Sequence, residues 1–238
     1  MKVLVLAVTG FLSASACAQQ SPTVERTASL GSLLSAEEAR ALAQTLPVDQ
    51  EIHFRVRRPA AGDSPGVLVF ISPTDSGELP AEWVDVLGQA NLEWIAADGF
   101  GNSRPTAQRM LVAVLALEMA RQAPLDARRQ YVSGLSGGGR VASECISHFP
   151  RQFTGALFMV GANFYLPSET AARDLLATRP LVFLTGNRDF NHREMRQVYG
   201  RYGHAGLAHL LMLDVEGFGH ERARPEQLRV ALQFLDGR

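Results

Sequence analysis

Three side chains, far apart in the chain, together have the chemistry needed to attack a carbonyl carbon. Ser136 is the centre of Gly134-Leu135-Ser136-Gly137-Gly138, a Gly-x-Ser-x-Gly pentapeptide. A short β-prone run, Gln130 to Ser133, precedes it, and Arg140 to His148 can wind as a helix after it. Strand, tight turn and helix form the setting that lifts a serine hydroxyl onto a strained apex. Residues two places either side of that apex must have almost no side chain, a condition that Gly134 and Gly138 meet. The glycine run lacks the following Lys-Ser/Thr of a phosphate cradle. A serine hydroxyl is a weak nucleophile at neutral pH until a base takes its proton. His220, in Gly217-Phe218-Gly219-His220, can be that base. Asp189, in Gly186-Asn187-Arg188-Asp189, can hold the imidazole in the required tautomer.

Taken singly, each residue has a plainer reading: a chance pentapeptide, a turn aspartate, a histidine at a helix start. What makes them a set is the element after which each falls. Gly66 to Ile71 is a continuous apolar run, suited to a strand buried on both faces of a parallel sheet. Leu92 to Ala97, Gly155 to Val160, Pro180 to Leu184 and Ala208 to Val215 read as further strands. Helical stretches alternate with them: Pro80 to Ala90, Thr106 to Gln122, Glu194 to Tyr202 and Pro225 to Leu235. Upstream, Glu51 to Arg57 alternates apolar and polar residues as a half-buried strand, with His53 on its polar face. Ser35-Ala36-Glu37-Glu38 is a capping box opening a helix that Pro47 stops, and residues 19 to 34 read as a tether or an extended edge segment. The pattern predicts a single α/β domain, a doubly wound, mostly parallel sheet with helices on both faces. In such sheets reacting groups gather at the carboxyl ends of strands, where Ser136, Asp189 and His220 all fall.

Composition sets the outer bounds. The 238 residues are 46% apolar and 20% charged, enough for one large core. A formal net charge of −1 with no charged block argues against nucleic acid or an anionic membrane as partner. Residues 1–18 read as a signal peptide: Lys2, an apolar stretch Val3 to Leu12, and an Ala16-Cys17-Ala18 cleavage site. The apolar stretch is too short to span a bilayer, so no stable membrane insertion is expected. Ala14-Ser15-Ala16-Cys17 loosely fits a bacterial lipobox, which offers lipidation of Cys17 as a second processing route. Either route exports the chain, to the periplasm or beyond the cell. The mature chain then keeps Cys145, with no partner for an intramolecular disulfide. Residues 19–50 form an N-terminal extension with one helix, and 51–238 the catalytic domain.

The serine, acid and histidine, in that order, resemble the α/β-hydrolase superfamily. The likeness runs over residues 50 to 238 through Tyr-Val-Ser-Gly-Leu-Ser-Gly-Gly-Gly, Gly-Asn-Arg-Asp and Gly-Phe-Gly-His. Within it the chain is most similar to secreted esterases of the polyhydroxyalkanoate-depolymerase and feruloyl-esterase-like group. The resemblance implies Ser136 as nucleophile, Asp189 as orienting acid and His220 as general base. Where relatives often carry His-Gly, this chain has Ser72-Pro73. Because proline has no N–H, the oxyanion donors expected are those of Thr74 and Gly137. No metal or organic cofactor is required, and His148, His192, His204 and His209 offer no ligand cluster. Cys145 reads as core. The activity implied is cleavage of carboxylic esters, of a small molecule or a polymer, through an acyl-serine. A serine peptidase on the same fold and a non-catalytic binding protein are the alternatives; the intact triad argues against the second, and the absence of a propeller domain from these 238 residues against the first. Only 161–179 could serve as a cap, too short for a separate apolar lid. Phe100, Phe164, Tyr165, Phe190 and Phe218 follow strand ends and are expected to rim a shallow cleft.

Overall fold

A computed structural model describes residues 21–60 and 64–237. The predicted signal peptide and Cys17 lie outside the described residues. Eight strands form one sheet: β1 (Val24–Ala28), β2 (Ile52–Arg57), β3 (Gly66–Ile71), β4 (Leu92–Ala97), β5 (Gln130–Leu135), β6 (Gly155–Met159), β7 (Leu181–Gly186) and β8 (Leu210–Val215). Their order across the sheet is β1-β2-β4-β3-β5-β6-β7-β8. β1 and β2 pair antiparallel, as do β2 and β4, and every later pairing is parallel.

The helices follow from the strand sequences. Along β3, Val67, Val69 and Ile71 join one apolar cluster while Leu68 and Phe70 join another. Both faces are therefore apolar and both must be covered. α4 (Thr106–Ala120), α5 (Gly137–His148) and α7 (His192–His204) supply residues to the first cluster, as do α1 (Leu30–Leu33), α2 (Ala36–Leu42) and α6 (Thr170–Ala177). α3 (Val84–Gln89), the 3-10 turn Ala81–Trp83 before it, and α8 (Pro225–Leu235) supply the second. On that second face Phe70, Trp83 and Trp94 pack as a triple, with ring centroids 4.7 to 5.8 Å apart.

Of the two readings of residues 19 to 34, a tether or an extended edge segment, the described residues show the edge segment. Val24–Ala28 adds an exposed edge strand to β2, so this stretch is continuous with the sheet of the main domain. Its residues are polar or exposed up to Ala28, which is why periodicity alone gave no strand there. The capping box at Ser35 forms as expected, with the Ser35 hydroxyl accepting from the Glu38 N–H.

One feature of this order creates the site. The chain leaves β3 toward β4 on one side and returns through α4 to β5 on the other. Loops leaving β3 and β5 therefore diverge, and a crevice opens at their carboxyl ends.

Candidate active site

Ser136 sits at the end of β5 with φ 55° and ψ −118°, a left-handed conformation that a residue with a Cβ adopts only under constraint. The constraint comes from both flanks. The Ser136 N–H donates to the Met159 carbonyl at 2.8 Å, and its own carbonyl accepts from the Arg140 N–H at 3.1 Å. A Cβ at Gly134 would overlap the Gly138 carbonyl, and one at Gly138 would overlap the Ile71 carbonyl. The two glycines are thus the points where strand, helix and neighbouring β3 touch backbone to backbone.

His220 Nε2 lies 2.8 Å from Ser136 Oγ, and His220 Nδ1 lies 2.7 Å from Asp189 Oδ1. The three residues predicted from sequence are therefore brought together in hydrogen-bonding order. Asp189 is 5% exposed, and its carboxylate is well supplied with donors. Thr185 Oγ1 donates to its Oδ2 at 2.9 Å, and the Asn191 N–H to its Oδ1 at 3.0 Å. These donors fix the orientation of the carboxylate, and with Nδ1–H donating to Oδ1 the imidazole presents Nε2 to the serine hydroxyl. Asp214, the alternative acid in β8, pairs instead with His192 at 2.9 Å and with Arg196 at 3.6 Å.

Asn191 connects the acid to the elbow. Its side-chain amide donates at 2.7 Å to the carbonyl of Val160, a β-branched residue held at φ 48° just after β6. Its side-chain oxygen accepts from Arg140, whose guanidinium forms a two-pronged pair with Glu194 of α7, 2.7 Å at Nη2. Val160 and Ser136 are neighbours through the Met159 peptide, so the two strained residues share one support.

The two N–H groups expected to receive an oxyanion are those of Gly137 and Thr74. Gly137 is the first residue of α5, where an N–H has no acceptor within the helix. Thr74 lies in the loop after β3; its N–H contacts Ser72 Oγ at 3.2 Å, so a bound anion would compete with that hydroxyl. The loop is pinned to the one after β4: Asn102 N–H donates to the Pro73 carbonyl at 2.9 Å, and Gly101 N–H to Asp75 Oδ1 at 2.9 Å.

No family model matches the chain, and no curated protein matches it in sequence. Its structure does have neighbours. A ferulic acid esterase superposes with a TM-score of 0.66 at 14% identity, over 91% of this chain and 97% of that one. A fungal esterase from Rhizomucor miehei gives 0.64 at 12%, over 92% and 86%. Porphyromonas gingivalis dipeptidyl peptidase 4 gives 0.63 at 16%, over 92% of this chain but 36% of that one. The fold is that of the α/β-hydrolases. At these identities the likeness carries the architecture and leaves the substrate to the site itself.

Within this α/β-hydrolase fold, the aromatic residues expected on the rim are scattered. Phe190 does reach the triad: 78% exposed, it stacks on the His220 ring with centroids 3.9 Å apart. Phe218 is fully buried in the cluster under α8, and Phe100 is 7% exposed; both point into the core and not into the cleft. Phe164 lies half-buried between Tyr202 and the Arg201 guanidinium, and Tyr165 stacks on His148. Position after a strand end does not say which way a ring turns, and four of these rings found partners away from the triad. A cavity of about 440 Å³ does flank the site, lined among others by Pro73, Thr74, Leu79, Pro80, Leu135 and Arg222. Leu135 precedes Ser136, and Arg222 follows His220 by two residues; Arg222 pairs with Glu82 across the opening at 2.7 Å.

Sequence reasoning missed Thr185, Asn191 and Arg109. Arg109 had a legible signal: a cation in the first turn of an apolar helix, where the helix dipole disfavours positive charge. Cys145, expected in the core, is fully buried in α5, and burial pushes its thiol pKa well up.

Proposed function

We propose that the protein is an exported serine hydrolase that cleaves carboxylic esters through an acyl-serine intermediate. The single observation carrying this reading is the continuous hydrogen-bond relay from Ser136 Oγ through His220 to Asp189, at 2.8 and 2.7 Å, mounted on a strained elbow. His220 Nε2 takes the serine proton as Oγ attacks the ester carbon. Asp189 stabilises the imidazolium without taking its proton. The oxyanion is received by the N–H groups of Gly137 and Thr74; one such donor is typically worth ~3–4 kcal/mol of barrier. His220 then protonates the departing alcohol, and water repeats the attack on the acyl group with the same base. Apart from that water, every step uses groups of the chain itself.

An ester of small or exposed acyl group suits the site better than a buried fatty chain. Residues 161–179 contribute one short helix, α6, half of it exposed, and Phe190 beside His220 is itself exposed. Export rests on residues 1–18 as read from the sequence.

Incubation with a fluorophosphonate probe, followed by peptide mapping, tests the mechanism. Labelling is expected at Ser136 in wild type and is lost in Ser136→Ala. Labelling elsewhere, or none, removes the assignment. A panel of chromogenic esters and peptide anilides then separates esterase from peptidase. Mass spectrometry of material recovered outside the cytoplasm is expected to give an N-terminus at Gln19 or a lipidated Cys17; an intact Met1 there refutes export by cleavage.

A further inference from the structure

Arg109 takes no part in the relay, yet it is 5% exposed and its guanidinium touches three strand-end loops at once. Nη2 donates to the Ser72 carbonyl at 2.9 Å, Nε to the Phe100 carbonyl at 3.1 Å, and Nη1 to the Gly137 carbonyl at 3.4 Å. These carbonyls belong to the loops after β3 and β4 and to the first turn of α5. Burial lowers the guanidinium's pKa from its ordinary value, with no carboxylate among the described residues to offset it. Arginine stays protonated even so, and its planar fork fixes the direction of each acceptor.

The choice of carbonyls is informative. Ser72 C=O belongs to the peptide directly before the Pro73–Thr74 peptide, whose N–H is one expected oxyanion donor. Gly137 C=O belongs to the peptide directly after the Ser136–Gly137 peptide, whose N–H is the other. One rigid group therefore ties the peptides next to both donor peptides, a single peptide unit from each N–H. The Pro73 carbonyl is held separately by Asn102 N–H, which leaves the Thr74 N–H facing the other way.

Resting on the ester-hydrolase reading, we propose that Arg109 is a positioning residue that sets the spacing of the two oxyanion donors and adds uncompensated positive charge beneath them. The charge is fixed before reaction, so it stabilises the tetrahedral intermediate more than the neutral ester. Its effect is on kcat, with substrate binding left nearly as it was.

The test uses Arg109→Met and Arg109→Lys in the full chain, with p-nitrophenyl butyrate as substrate and phenylboronic acid as the probe of tetrahedral binding. Folding is verified by circular dichroism at low temperature. The expected result for Met is a kcat lower by about 10- to 100-fold, the scale of a weakened oxyanion donor, with KM within about threefold and boronate affinity falling in parallel with kcat. An ammonium cannot reach three carbonyls together, so Lys is expected between wild type and Met. Wild-type kcat in folded variants overturns the proposal, as does a loss shared equally by kcat and KM, or a boronate affinity that does not move. If neither variant folds, Arg109 is a structural cation only and the proposal falls. Absence of turnover and of fluorophosphonate labelling in wild type removes the hydrolase reading itself, and this one with it.

Discussion

Arg129, half-buried, and Arg109, buried, lie at opposite ends of the strands, and their surroundings differ in kind. Arg129, just before β5, faces Asp236 with two parallel hydrogen bonds of 2.8 and 2.9 Å, and the Tyr131 hydroxyl donates to the same carboxylate at 2.8 Å. Burial first, and the Asp236 carboxylate second, push the Tyr131 hydroxyl's pKa well up, so it remains a donor. That cluster is neutral and ties α8 to the amino end of the sheet. Arg109, at the carboxyl end, meets only carbonyl oxygens. Charge is neutralised where it only has to hold structure, and left unneutralised where a transient anion would need it. Of the three non-glycine residues with positive φ among the described residues, Ser136 and Val160 lie at the carboxyl end, while Asn91 precedes β4 at the amino end beside Arg129.

The comparison predicts that damage at the two ends reads out differently. The largest effect belongs to Ser136→Ala: kcat for p-nitrophenyl butyrate should fall by about 10⁴-fold or more, with the thermal midpoint close to wild type. Activity above about a tenth of wild type would break the assignment. Asp189→Asn should lower kcat by roughly 10³- to 10⁴-fold with KM little changed, because the wrong tautomer is then favoured. Asp214→Asn should stay within about twofold, since its partners are His192 and Arg196; the reverse ranking would overturn the choice of acid. At the amino end, Arg129→Met should cost about 3 kcal/mol of stability, measured by urea unfolding, by leaving a buried carboxylate without its cation. Its kcat below the melting transition should be nearly unchanged. A kcat loss there as large as the stability loss would erase the distinction between the ends. The smallest effect concerns the open face: acetyl and butyryl p-nitrophenyl esters should exceed the palmitoyl ester in kcat/KM by about tenfold. A palmitoyl preference, or activation at a lipid–water interface, would reveal an acyl tunnel.

Much of this was legible from residue types. The glycines two places either side of Ser136 and the strand-end positions of Asp189 and His220 named the relay before any geometry, because a strained turn restricts which residues can surround it. The parallel strands were legible for the same reason: β3 has no polar residue, so both of its faces demand cover. Edge strand β1 was legible only as one of two readings, a tether or an extended edge segment, because an exposed strand needs no apolar face. Ring directions were illegible, and Phe218 illustrates why. It lies two residues before His220 on a tight turn and turns inward under α8, a choice set by the space between β7, β8 and that helix. Arg109 was legible as a cation in the first turn of an apolar helix, but its acceptors were not, because they are backbone carbonyls and leave no trace in side-chain identity.

The contact of Gly138 with Ile71 has a consequence for how the molecule assembles. The elbow closes only against a β3 already in place, and the relay spans 84 residues between Ser136 and His220. Contacts of such long sequence separation are formed late, after local helices and neighbouring strand pairs. On refolding from denaturant, recovery of ester turnover should therefore lag behind recovery of the far-ultraviolet helical signal, and the chain passes through a stage that has its secondary structure but no nucleophile poised to react.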